Sequence, residues 1–259
     1  MIVNTQKILN PTEIWHISAE ALNSKKYRKK YIDALSFLIR DKKLTILDSA
    51  CGSGFPVTDL YNNGFTKITA SDADKKSVKF LQTHFKNLNM PVPVYTIEWQ
   101  KLNKKIQNKF DVLVNAGNSL IYMDGWSEGT FVSGTKKVFK RISLVLKNFY
   151  DVLQDDGFAI IGLAKHYHLG TTKLTTIFDL TKNKKKYHIE WRSVMDWHNR
   201  NHQWTTNIEG KNVKGSVLRK SYLFTKDELA TLMRKVGFKK VHILEPDGTR
   251  DNLIIGFKN

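Results

Sequence analysis

The stretch Leu44-Thr45-Ile46-Leu47-Asp48-Ser49-Ala50-Cys51-Gly52-Ser53-Gly54 decides the fold. Four residues, three of them branched or bulky apolar, read as a short buried strand, Leu44 to Leu47. An acid closes it and a glycine-bearing turn follows. Pro56 stands where a helix begins, because proline suits the first helical turn, and Asn63-Gly64 is a stop signal. In an open α/β sheet, ligands bind beyond the carboxyl ends of the strands. Glycines there let backbone approach a ligand closely, and the helix that follows presents unpaired N–H groups.

Two cofactor classes that use such turns do not fit. A dinucleotide fingerprint needs a third glycine, and Val57 occupies that position. A phosphate loop ends in Gly-Lys-Ser/Thr, which is absent. A strand, an acid and G-x-G remain.

Outward from this turn the chain alternates strands and helices. A strand over Lys67 to Ser71 ends at Asp72, and Asp74 caps a helix running to Leu88, with Val78, Leu81, Phe85 and Leu88 on one face. Further strands are predicted over Val92 to Ile97 and Phe110 to Val114, then a helix over Thr135 to Leu153. A turn at Asp155-Asp156-Gly157 leads into a strand over Phe158 to Leu163. Upstream, Ala19 to Ile39 reads as one helix, with Tyr27, Tyr31, Ala34, Leu35 and Leu38 near helical spacing. This rhythm implies a parallel sheet with helices on both faces. Residues 164–222, rich in Thr, Asn, His and Trp, interrupt it and read as an inserted antiparallel cap for substrate binding. Thr225 with Glu228 forms a capping-box pattern for a helix ending at Gly237, and strands over Lys239 to Leu244 and Asn252 to Phe257 complete the chain. The expectation is one domain, residues 1–259, carrying the 164–222 insertion.

Asp72 lies about 20 residues past the glycine turn, where an acid at the end of the second strand accepts ribose hydroxyls. An ionised carboxylate is purely an acceptor, which suits a diol. The strand, Asp48, Gly52 and Gly54 resemble motif I of the Rossmann-like S-adenosylmethionine methyltransferases. Within that superfamily the chain resembles the glycine N-methyltransferase group and its glycine-sarcosine relatives, unevenly, from Trp15 to Phe257. The resemblance rests on Leu47-Asp-Ser-Ala-Cys-Gly-Ser-Gly54, on Thr69-Ala-Ser-Asp72-Ala73, on Trp99 beyond the third strand, and on Phe110-Asp-Val-Leu-Val-Asn115-Ala-Gly117-Asn118-Ser119-Leu120. It implies S-adenosyl-L-methionine as cofactor, held by Asp48, Ala50, Gly52, Gly54, Asp72, Ala73, Trp99 and Asn115, with Arg28 or Lys26 toward the methionyl carboxylate. Asn118, Tyr167 and Tyr222 are its expected catalytic residues; Asn118, Lys165 and Tyr122 its expected substrate contacts. Where the family carries an arginine for the amino-acid carboxylate, this chain has Lys165-His166-Tyr167, a point charge in place of a bidentate fork.

The expected activity is therefore N-methylation of a small amine or amino acid. Methyl transfer needs a positioned lone pair rather than a catalytic triad, and Trp126, Trp191, Trp197 and Trp204 join the tyrosines as aromatic candidates for lining a site that meets cationic methyl groups. The competing reading is an RNA or other nucleic-acid methyltransferase, prompted by 42 Lys plus Arg against 24 Asp plus Glu, a formal charge of +18. The lysines are scattered rather than interleaved with aromatics in one block, and Asn115-Ala-Gly-Asn118 stands where base-amino methyltransferases often carry NPPY or DPPY. A cofactor-binding module without activity is a third reading, disfavoured by the intact glycine loop. A metal at His198 and His202 is not expected, because neither cysteine ligands nor H-E-x-x-H accompany them. The single cysteine, the lack of a secretory leader pattern and the lack of a long apolar run imply a cytoplasmic protein without a disulfide or membrane span; oligomerisation stays open.

Overall fold

The computed structural model describes residues 6–123, 135–165 and 170–259. In chain order the elements are β1 (Lys7–Ile8), α1 (Pro11–Leu22), α2 (Lys25–Ile39), β2 (Ile46–Asp48), α3 (Val57–Asn62), β3 (Ile68–Asp72), α4 (Lys75–Asn87), β4 (Val94–Thr96), α5 (Leu102–Lys105), β5 (Phe110–Asn115), α6 (Thr135–Asp151) and β6 (Leu153–Ala164). Then come β7 (Thr171–Lys182), β8 (Lys185–Asp196), β9 (Asn201–Gly210), β10 (Val213–Tyr222), α7 (Lys226–Val236), β11 (Lys240–Leu244) and β12 (Asp251–Phe257). The described residues form two compact units, one of residues 25–120, 135–165 and 224–259, the other of residues 6–24, 121–123 and 170–223.

The first unit holds a seven-stranded sheet in the order β11-β12-β6-β5-β2-β3-β4. Pairings among β2 to β6 are parallel, and β12 runs antiparallel to both β6 and β11. The chain builds outward from β2 through β3 to β4, then returns to β5 on the other side of β2. Right-handed crossovers make these two directions of travel fill opposite faces of the sheet, and in agreement α2 packs beside α3 while α6 packs beside α7. The reversal between β2 and β5 is the topological switch point, where an open α/β sheet leaves a crevice for ligands. Tyr31, Leu35, Ile46, Val112, Val114 and Ile160, all buried, anchor the core beneath it.

The second unit is an antiparallel sheet in the order β1-β10-β9-β8-β7, with β1 parallel to β10. Leu9, Ile14, Ile189 and Ile208 form its core, flanked by Phe178, Leu180, Tyr187 and Trp191. Gly215 is required here, since a Cβ would come within 2.9 Å of Leu9 Cβ and Ile14 Cδ1.

Several expectations shift. The helix read over Ala19 to Ile39 is two helices, parted at Asn23-Ser24, where Asn23 leaves helical geometry and its N–H caps back to the Ala19 carbonyl. The N-terminal helix starts earlier, at Asn10, whose side chain accepts from Thr12 and Glu13 while Glu13 returns the bond. Leu88 is 47% exposed, because it caps the end of α4 and falls off the buried face formed by Val78, Leu81 and Phe85. The expected turn at Asp155-Asp156-Gly157 lies inside β6, where the pairing shifts from Phe110↔Leu153 to Val112↔Phe158. Gly157 permits that bulge: a Cβ would come within 3.0 Å of the Phe110, Asp111 and Gln154 carbonyls.

Candidate active site

The loop from β2 to α3 is held from several sides. Its backbone pairs with both neighbouring strands, Ser49 N–H to the Val114 carbonyl at 2.9 Å and Cys51 N–H to the Ser71 carbonyl at 3.0 Å. Gly52 and Gly54 have φ of +45° and +105°, positive values that glycine adopts at no steric cost. At Gly54 space is also short, since a Cβ would meet Leu81 Cδ1 at 2.9 Å. The loop therefore fixes its own path, and sequence spacing alone exposed that requirement.

Asp48 is fully buried at the end of β2. One carboxylate oxygen accepts from Ala50 N–H at 2.9 Å, while Oδ2 has no hydrogen-bond partner among the described residues. Burial pushes its carboxyl up to about 7, offset in part by the Ala50 bond and reinforced by Asp72. Asp72 ends β3 and bridges two loops: Oδ2 accepts from Gly52 N–H and Oδ1 from Asp74 N–H, each at 2.9 Å. Burial raises its carboxyl as well, against the lowering effect of those backbone donors. Each oxygen keeps a lone pair for a further donor. Ala50 and Ala73 lie in these two loops as short residues between the bonded groups. Asp74 caps α4 through Lys76 and Ser77 N–H, as the sequence predicted.

Trp99 begins a 3-10 turn after β4, and its indole N–H donates to the Ser49 carbonyl in the β2 loop. Its ring meets Phe149 of α6 edge-on at 6.1 Å. Asn148 of α6 donates to the Trp99 carbonyl at 2.9 Å. Asn115, fully buried at the end of β5, donates to Ser49 Oγ at 3.0 Å, and its amide oxygen has no partner among the described residues. Ser49 and Asn148 complete this network and were not predicted; a serine and a helical asparagine carry no sequence signal that separates them from solvated ones.

Beyond β5 the chain enters two consecutive left-handed residues, Gly117 and Asn118, with φ of +66° and +58°. Asn118 Oδ1 accepts from Ala164 N–H at 3.2 Å, tying this loop to the end of β6. What it offers a ligand is chiefly its amide NH2. Among the described residues a Cβ built on Gly117 meets nothing within 4 Å. Gly162 on the neighbouring strand has none, since a Cβ there would lie 2.8 Å from the Tyr31 hydroxyl and 3.2 Å from Gly117 N.

Arg28 makes a two-pronged ion pair with Asp59 of α3, at 3.1 and 2.6 Å, and its guanidinium stands 5.6 Å from the Phe55 ring. The fork expected to meet a carboxylate of the cofactor is thus occupied by a carboxylate of the protein. Lys165 donates to the Pro246 carbonyl at 2.8 Å, leaving two ammonium protons. A cluster with no counterpart in the sequence reading lies nearby on α2 and β12: Tyr27 donates to Asp251 at 2.9 Å, and the Arg250 guanidinium stands 4.1 Å from the Tyr27 ring. Burial raises both the Tyr27 hydroxyl and the Asp251 carboxyl. Tyr27 and Tyr31 at helical spacing read only as core residues, which is why this cluster went unseen.

Tyr122 and Tyr222 belong to the other unit. Tyr122 packs against Trp204 and His202, with ring centroids 5.8 and 6.4 Å apart, and burial raises its hydroxyl while Arg219 lowers it. Trp15 and Trp191 extend this group, 6.1 and 4.4 Å from Trp204. Tyr222 is buried at the end of β10, opposite Asn201. His202 engages Ser193 and Ser221 through its two ring nitrogens, and His198 lies in the β8–β9 turn. Among the described residues no group of three or more His, Cys, Asp or Glu is placed to hold a metal. Trp126, His166, Tyr167 and His168 lie outside the described residues.

The strand order, the antiparallel β12 and the acid-flanked glycine loop at the switch point define the S-adenosylmethionine-dependent class I methyltransferase fold. The chain is similar to DesVI of Streptomyces venezuelae, at 12% identity and a TM-score of 0.70, over 96% of this chain and 98% of that one. It is similar to the S-adenosylmethionine-bound amino pentose methyltransferase CalS10 of Micromonospora echinaspora, at 10% identity and a TM-score of 0.70, over 95% and 97% of the two chains. By sequence it is 22% identical over 232 residues to a glycine/sarcosine/dimethylglycine N-methyltransferase of Actinopolyspora halophila, covering 83% of this chain. It spans 35% of that relative's length. No protein-family model matches the chain.

Proposed function

We propose that the chain is an S-adenosylmethionine-dependent N-methyltransferase acting on a small amine. The observation that carries this reading is the pair of carboxylates, Asp48 fully buried and Asp72 half-buried, on either side of the glycine loop at the switch point. Asp48 Oδ2 and Asn115 Oδ1 are buried acceptors with no partner among the described residues. Leaving such groups unpaired costs about 1–3 kcal/mol each, so a ligand rich in donors fits this crevice. S-adenosylmethionine offers an ammonium, a ribose diol and an adenine amino group.

In this reading Asp72 accepts the diol and Trp99 packs beside the adenine. Asp48 and Asn115 take up donors near the methionyl end. Gly52 and Gly54 keep the backbone close. When bound, the cofactor supplies a methyl group already activated by its sulfonium. The chain's contribution is to orient the acceptor: Asn118 presents its amide NH2 beside Gly117, where a Cβ would meet none of the described residues, and Lys165 supplies a cation for an anionic group of the acceptor. No strong base is needed, since an amine sheds its proton to water before reacting. Arg28 is not assigned to the cofactor, because Asp59 occupies its fork. The relatives support an amine acceptor: one is described as acting on glycine, sarcosine and dimethylglycine, another as a sugar N-methyltransferase, KedS8 of Streptoalloteichus.

Isothermal titration with S-adenosylhomocysteine tests the cofactor half. Saturable binding is expected, weakened in Asp72→Ala by about 1–3 kcal/mol, the scale of a lost hydrogen bond that strands a buried partner. A labelled-methyl screen over amino acids, amino sugars, other amines and RNA tests the acceptor half. Label on RNA alone would overturn the amine reading.

A further inference from the structure

The antiparallel unit ends in an unusual edge. Strand β7 is twelve residues long and pairs with β8 along its whole length without a register shift. Among the described residues it has no strand on its other side. Exposed edges are normally short, bulged, or broken by proline, because a row of open N–H and C=O groups recruits another strand. The β7 sequence Thr-Thr-Lys-Leu-Thr-Thr-Ile-Phe-Asp-Leu-Thr-Lys has neither proline nor glycine, and half of its residues are β-branched. Two of its apolar side chains face solvent, Leu174 at 53% and Ile177 at 58% exposure.

Charge marks what this edge fits. Asp179, His188, Glu209 and Lys214 are successive cross-strand partners on β7, β8, β9 and β10. Directly opposed residues share a face, so they form one row across the sheet, closed by an Asp179–His188 contact of 3.0 Å. At the edge the row stops on Asp179, whose side chain is 85% exposed. Lys173 starts a different row, through Val194, Gln203 and Lys220, that contains no acid. The edge therefore carries an anion, Asp179, and a cation, Lys173, six positions apart, each lacking a neighbour of opposite charge on the open side among the described residues, while its other lysine, Lys182, pairs with Glu20.

We propose that β7 is a homodimer edge: two copies pair their β7 strands antiparallel about a two-fold axis at Thr176. That register places Lys173 of each copy opposite Asp179 of the other, so the complementary pair forms twice. It also sets Leu174 against Phe178 and Ile177 against Thr175, and brings Thr176 opposite itself. Residues that would otherwise act as edge-blunting charges become attractive, and two exposed apolar side chains are covered. A two-fold axis requires each patch to complement itself, and a slip of two residues in either direction loses both charge pairs.

Sedimentation velocity on the full chain over a range of concentrations tests the assembly, with far-UV circular dichroism confirming that each variant is folded. The intact chain is expected to sediment as a dimer. K173D and D179K, each placing like charges opposite one another twice, are expected to shift it to monomer, and the double swap K173D/D179K to restore the dimer. The register is tested by oxidising Thr176→Cys and Thr172→Cys variants. Directly opposed residues on antiparallel strands lie about 4.5–5.5 Å apart, within disulfide reach, and Cys51 is buried. A covalent dimer is expected from Thr176→Cys and not from Thr172→Cys. A chain that stays monomeric throughout, or a dimer that neither charge variant weakens and Thr176→Cys fails to trap, would overturn the proposal.

Discussion

At the residue scale, Asp48 ties the site to pH. Its carboxyl is pushed up to about 7 in the folded chain by burial, against about 4 when unfolded. The folded state therefore holds a proton that the unfolded state has released. This contribution to stability is full below the unfolded value and is lost as pH rises to about 7. Asp48→Asn removes the titration while keeping an oxygen for Ala50 N–H. Relative to the parent chain, its stability is expected to rise by about 2 kcal/mol between about pH 5 and about pH 8, read by urea unfolding. Gly162 gives a second expectation. Gly162→Ala should be destabilised by about 1–3 kcal/mol, and adding Tyr31→Phe, which deletes the hydroxyl 2.8 Å from the new Cβ, should recover part of that loss. Additive losses in the double variant would place the strain elsewhere.

Individual residues were legible in the sequence where backbone geometry demanded a particular type. Gly52 and Gly54 stood out as a G-x-G turn after an acid-ended strand, and their positive φ explains the glycines; Asp48 and Asp72 stood out by their places at strand ends. The Tyr27–Asp251 pair was not legible, because its partners lie on an N-terminal helix and a C-terminal strand, and neither segment carries a pattern beyond its own periodicity. The Arg28–Asp59 ion pair was not legible for a related reason: a basic helix does not disclose that one of its arginines faces Asp59.

At the element scale, α7 shows how local chemistry sets a boundary. Thr225 Oγ1 accepts from Glu228 N–H at 3.1 Å and Glu228 returns a bond to Thr225 N–H at 2.8 Å. Gly237 ends the helix with φ of +124°. Thr225→Ala is expected to cost about 1 kcal/mol in chemical unfolding, with cofactor affinity unchanged. Start and stop signals of this kind were readable in advance. The interruption at Asn23-Ser24 was not, since the apolar spacing of α2 continues upstream into residues whose partners lie in the antiparallel sheet.

At the scale of the whole molecule, the antiparallel unit draws on more of the chain than the strands β7 to β10. The described part of that unit recruits β1 and α1, and its core needs Leu9 and Ile14. Burying a large aliphatic side chain contributes about 1.5–3 kcal/mol. Removing residues 1–24 is therefore expected to destabilise the antiparallel unit by about 3–6 kcal/mol, seen as an earlier loss of its amide protection in hydrogen exchange. Protection equal to that of the full chain would show that the N-terminal segment is dispensable. The formal charge of +18 makes any binding of a polyanion such as RNA expected to weaken steeply as salt rises, which a filter-binding series over salt concentration checks.

The indole of Trp99 is fastened to the Ser49 carbonyl, and among the described tryptophans it alone belongs to the parallel-sheet unit; Trp15, Trp191, Trp197 and Trp204 belong to the other. Protein grown on 5-fluorotryptophan would carry a spectroscopic spy in each unit without any engineered label. A fluorine resonance that moves alone on titration with nucleoside would report the crevice.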